Sequence, residues 1–85
     1  MPFAVKALDY GIPFDQFMVN TGGSGGTLVQ YVALAETGTP TSAAKWRIYK
    51  LFYDSNDNVV RVRWANGNMD MDKIADNYAD YTYNL

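Results

Sequence analysis

At 85 residues, without cysteine or histidine, the chain has the length of one domain and neither a disulfide framework nor an ordinary zinc site to hold it. Its 48% apolar and 15% aromatic content belongs to a globular chain, and a net charge of −2, from seven basic and nine acidic residues, gives no argument for nucleic acid or an anionic membrane. A domain this small has a thin folding margin, so with those staples missing the expected support is assembly with neighbours.

The first predicted element is a strand from Phe3 to Leu8, with Phe3, Val5 and Ala7 on one face and Lys6 on the other. Asp9-Tyr10-Gly11-Ile12-Pro13 breaks it with turn residues, and Phe14 to Asn20 is a second candidate strand. Thr21-Gly22-Gly23-Ser24-Gly25-Gly26 reads as a flexible connector with no side chains to pack. It lacks the Lys-Ser/Thr of a phosphate loop, and a strand rather than a helix is predicted after it.

Thr27 to Glu36 is a strand with two apolar faces, Leu28, Val32 and Leu34 against Val29, Tyr31, Ala33 and Ala35, as expected of a central or covered strand. A Gly/Pro/Thr/Ser/Ala loop over residues 37–44 follows. Trp46 to Tyr53 and Val59 to Trp64 form a predicted β-hairpin closed by Asp54-Ser55-Asn56-Asp57-Asn58. Its second arm alternates, with Val60, Val62 and Trp64 on one side and Arg61 and Arg63 on the other. Ala65-Asn66-Gly67-Asn68 is a turn. Met71, Ile74, Ala75 and Tyr78 then keep the spacing of a short amphipathic helix, from Met69 or Asp70 to about Tyr78, with Tyr81-Thr82-Tyr83 a further short strand.

These elements predict a mainly β, single-domain fold: a small antiparallel sheet, sandwich or barrel of about five strands with one short C-terminal helix packed on it. Trp46 and Trp64 are expected to be largely buried on the hairpin's core-facing side.

Residues with chemical potential read mostly as structural. Asp54, Asn56 and Asn58 match the first three ligand positions of a calcium loop, but Val59 stands where its glycine is needed and Ala65 where its glutamate is needed. Asp70, Asp72, Asp76 and Asp80 form an acidic run opposite the apolar stripe, and acid–base work would need a cleft to shift one of them. Without histidine there is no ordinary catalytic triad. No catalytic residue, metal, cofactor or small-molecule substrate is therefore expected.

Five of the seven basic residues, Lys45, Arg47, Lys50, Arg61 and Arg63, lie in the hairpin. With Trp46, Tyr49 and Trp64 between them they suggest a single-strand nucleic-acid platform, an alternative that the acidic balance of the whole chain argues against. Residues 45–65 carry a balance of +3 and residues 66–85 one of −3, which suggests complementary contact within the subunit or head to tail between copies.

The string Gly38-Thr39-Pro40-Thr41-Ser42-Ala43-Ala44-Lys45-Trp46-Arg47-Ile48-Tyr49-Lys50-Leu51, then Tyr53-Asp54, Trp64-Ala65-Asn66-Gly67-Asn68 and an Asp-rich segment ending in Tyr81-Thr82-Tyr83, resembles a family of short proteins and terminal modules of tailed bacteriophages. The likeness covers about residues 31–83. It departs at Met69 and Ile74, where the family carries aromatics, and in lacking an arginine near Asn77. The resemblance implies a virion structural protein, a head decoration, neck, tail or fibre-attached module, located in the virion and not an enzyme.

The expected partners are other virion proteins and further copies of the chain in a homo-oligomer, with nucleic acid disfavoured. No apolar run is long enough to span a bilayer, and Met1-Pro2-Phe3-Ala4-Val5-Lys6 lacks the pattern of a signal peptide. The interface candidates are Trp46, Arg47, Tyr49, Lys50, Arg61, Arg63, Asp76, Tyr78, Asp80, Tyr81 and Tyr83. Their tyrosine- and tryptophan-rich composition is that of protein interfaces.

Overall fold

The computed structural model describes residues 14–84; the predicted strand at residues 3–8 and the turn after it lie outside them. Among the described residues, five strands form one antiparallel sheet: β1 (Phe14–Val19), β2 (Tyr31–Glu36), β3 (Ala44–Tyr53), β4 (Val59–Trp64) and β5 (Lys73–Ile74). The first four pair in chain order, and β5 pairs with the start of β3. A 3-10 turn at Ala65–Gly67 and another at Ala75–Asp80 complete the C-terminal part. The mainly β class with a helical turn near the C-terminus is as expected; the architecture is a single sheet with one face covered.

The register explains which face is covered. Phe17, Ala33 and Ile48 lie directly opposite one another across three strands, and Val19, Tyr31, Lys50 and Arg63 form the next row on the same side. Ala33, Ala35 and Ile48 are buried there with Trp46. Two alanines side by side leave the depth that Trp46 and the returning C-terminal segment fill. That segment contributes buried Ala75 and Tyr83, and the Tyr31 ring packs against Tyr78 and Tyr83 at centroid distances of 4.8 Å and 5.4 Å. Trp46 is 2% exposed, and its indole N–H donates to the Pro40 carbonyl at 2.9 Å.

The two tryptophans do not share a core. Trp64 stands opposite Tyr49, three residues from Trp46 in an extended strand and so on the other face. Trp64 is half-buried, edge-on to the Tyr49 ring at 5.2 Å. The row Met18, Val32, Tyr49, Trp64 runs across this second face.

The predicted helix is also replaced. Lys73 and Ile74 are extended against Trp46 and Ala44, and only Ala75–Asp80 turns, as 3-10 with Asn77 outside helical geometry. The apolar stripe still faces inward, with Ala75 buried and Met71, Ile74 and Tyr78 half-buried. A short helix has a costly nucleus and gains little by itself, so pairing with the waiting edge of β3 wins. Tyr81–Tyr83 runs on without sheet pairing, held by reciprocal bonds: Asn66 N–H to the Thr82 carbonyl at 2.7 Å and Thr82 N–H to the Asn66 side chain at 3.1 Å.

The Gly-rich segment is anchored, contrary to the expectation of a free connector. Gly22 and Leu28 exchange backbone bonds of 2.7 Å and 3.0 Å, and Ser24 N–H donates to the Asp57 carboxylate at 2.8 Å. Gly23 has φ 78°, which favours glycine, and no side chain would fit at Gly22 against Tyr53. Its docking on the hairpin tip could not be seen from composition, because the partner, Asp57, is 33 residues away. The predicted strand from Thr27 accordingly joins the ladder only at Tyr31.

Candidate interaction surface

β4 is the last strand of the main sheet, and among the described residues no strand pairs with its outer edge. Val59, Val60 and Val62 are 51%, 61% and 45% exposed. The Phe52/Tyr53 bulge shifts the pairing so that Tyr53 opposes Val59. β-branched residues make this a stable strand, yet the fold leaves it uncovered. Its alternation divides the chemistry: Val62 and Trp64 lie beside Leu51 and Tyr49, whereas Arg61 and Arg63 lie beside Phe52 and Lys50 on the face that carries the core.

Lys50 belongs to an aromatic cluster. Its ammonium lies 5.0 Å from the Phe52 ring centroid, 5.4 Å from Tyr31 and 6.0 Å from Tyr83. Cation–π attraction of this kind is worth about 0.5–2 kcal/mol, and it explains a lysine next to a core row. The open depression beside it, about 320 Å3, is lined by Tyr31, Lys50, Phe52, Tyr81, Tyr83 and Asn84, among others. Burial pushes the Tyr83 phenol well above its ordinary value, with neighbouring Tyr31 and Tyr81 adding to the shift. Its hydroxyl donates to the Tyr78 carbonyl at 2.6 Å.

The interface candidates therefore separate. Lys50, Arg61 and Arg63 are brought together on one face, beside Tyr31 and Phe52. Arg47 and Tyr49 lie on the opposite face, where the Arg47 Nε is buried without a partner among the described residues. Trp46 and Tyr83 are core residues, 2% and 6% exposed; Tyr78 and Tyr81 are half-buried against the core. Of the suggested nucleic-acid platform, Trp46 is thus in the core, Tyr49 is on one face and Arg61 and Arg63 are on the other.

The acidic run is exposed: Asp70, Asp72, Asp76 and Asp80 all face solvent. Among the described residues the ion pair formed is Asp72 with Lys73, so the +3 and −3 segments are not joined by an Arg61 or Arg63 contact. Lys73, the one basic residue in the segment with the −3 balance, is 3% exposed. Its ammonium donates to Asn68 Oδ1 at 2.8 Å as well as to Asp72. No sequence signal identified it, since an isolated lysine in an acidic stretch is usually solvated.

In the hairpin turn, Asp54 acts on its own backbone. Its carboxylate accepts from Asn56 N–H at 2.8 Å and Asn58 N–H at 3.0 Å, and these bonds, Asn58 first, hold its carboxyl below the ordinary value. Among the described residues no three acidic side chains gather to hold a metal ion, and no helix is long and apolar enough to cross a membrane. No protein-family model, curated protein or solved structure matches the chain.

Proposed function

We propose that the chain is a structural component of a tailed-bacteriophage particle that works by protein–protein contact and carries no catalytic site. The observation that supports this most is β4, an edge strand with three exposed valines on an otherwise compact sheet. Exposed apolar strand edges are surfaces on which other chains add. The phage assignment within that class rests on the sequence resemblance over residues 31–83, and its place in head, neck, tail or fibre follows from neither. Homo-oligomerisation and contact with other virion proteins are part of the same reading. Among the described residues Arg61 and Arg63 form no ion pair with Asp76 or Asp80, which supports it, because charges left open on a surface set register and partner choice between apolar surfaces.

The test is mass spectrometry of purified particles from the phage whose genome encodes the chain, with copy number per particle. A fixed copy number is expected. Absence from the particles overturns the reading. Tight, salt-sensitive binding of an oligonucleotide by the purified chain would favour the nucleic-acid alternative instead.

A further inference from the structure

We infer that the outer edge of β4 receives an extended segment of a different protein, one that alternates carboxylate and apolar side chains. This rests on the protein–protein contact reading above and names the partner chemistry of its edge. A strand carries backbone donors and acceptors along both edges, and β3 uses one edge of β4. The other meets no described strand, and the exposed valines flanking it can be covered by an added strand.

The side chains specify that strand. Residues directly opposite in a sheet share a face, so a segment laid along β4 places every second side chain beside Arg61 and Arg63 and the others beside Val62. Among the described residues neither arginine is paired with a carboxylate, and Lys50 adds positive charge on the same side. Carboxylates at alternate positions would pair with the arginines, while apolar residues between them would cover Val62.

A second copy of β4 fits poorly. Antiparallel pairing of β4 with itself places residues of the same parity opposite one another, so Arg61 and Arg63 of both copies would crowd onto one face. Like charges opposed in a sheet destabilise it. The predicted strand at residues 3–8 carries Lys6 and no acid, so its charge is also wrong for this edge.

The experiment uses a fluorescein-labelled peptide of five Glu-Val repeats, titrated with the whole chain and followed by anisotropy. A Lys-Val peptide and a Glu-Val peptide N-methylated at alternate residues are the controls. The Glu-Val peptide is expected to bind and its N-methylated form to lose binding. The Arg61→Glu, Arg63→Glu variant, checked by circular dichroism for an intact sheet, is expected to bind the Glu-Val peptide at least about tenfold more weakly and to prefer Lys-Val. No binding by the wild-type chain overturns the proposal, as does binding indifferent to N-methylation, which would be ionic attraction without strand addition. A wild-type dimer in sedimentation that dissociates on Val60→Lys would overturn it in favour of a second copy. Failure of the peptide alongside a fixed copy number in particles removes the edge proposal and leaves the reading as a particle component; peptide binding by a chain absent from particles does the reverse.

Discussion

The Lys73 ammonium is held by the side chain of Asn68 at 2.8 Å while its backbone pairs with Trp46, so one residue closes the C-terminal segment over the sheet in two ways. Hydrogen bonds to a charged group contribute about 1.5–3 kcal/mol. Lys73→Ala is expected to lower the unfolding free energy in urea by about that amount. Asn68→Ala should cost less, about 1 kcal/mol, because exposed Asp72 still accepts from the ammonium. Equal stability of Lys73→Ala and wild type would show that the buried amine contributes nothing.

The Gly-rich segment provides a paired comparison. A Cβ at Gly22 would lie 2.7 Å from a Tyr53 ring carbon and 3.1 Å from the Leu28 carbonyl oxygen. A Cβ at Gly25 would lie 3.9 Å from Thr27 Oγ1. Gly22→Ala is expected to destabilise by about 1–3 kcal/mol, as overpacking does. Gly25→Ala should be neutral or stabilising by up to about 1 kcal/mol through the unfolded chain. Thermal melts of the two variants check this, and similar midpoints would mean that the segment is not seated as described.

The two tryptophans should differ in solution. With Trp64→Phe, emission comes from buried Trp46 and should be blue-shifted and poorly quenched by iodide. With Trp46→Phe, the remaining Trp64 should emit to the red and quench readily. Trp46→Phe should also cost stability, since it removes the bond to Pro40 and part of a fully packed side chain. Indistinguishable spectra would contradict their placement on opposite faces.

The pH dependence has two limbs. Asp54 has a lowered folded pKa, so its contribution is present above the ordinary value of 3.8 and is lost as pH falls through the lower folded value. Asp54→Ala should therefore flatten the fall in stability at acid pH. Tyr83 has a raised folded pKa, so its neutral phenol costs nothing below the ordinary value of 10.0, and stability is lost as pH rises above it, where the unfolded chain ionises first. Tyr83→Phe should be less stable at neutral pH, by about 1 kcal/mol for the bond to Tyr78, and should fall less steeply above pH 10. Denaturation midpoints across the pH range measure both limbs.

Local pattern was enough to find the first four strands. Alternation marked Val59–Trp64, the Asp/Asn turn marked the hairpin, and two apolar faces marked Thr27–Glu36, of which Tyr31–Glu36 forms the strand, as central or covered, because period-two burial and turn chemistry are properties of neighbouring residues. The grouping of Lys50 with Arg61 and Arg63 was partly legible as a basic hairpin, but not its separation from Tyr49 and Trp46. Which side of the hairpin faces the core depends on register with β2 and on what packs above Ala33 and Ala35. Tertiary contact decided the rest: Lys73 buried, the predicted helix drawn into β5 and a 3-10 turn, the glycines docked on Asp57, and β4 left open. Each depends on groups brought together from distant parts of the chain, where a backbone edge or a carboxylate already in place outweighs the weak preference of a short segment.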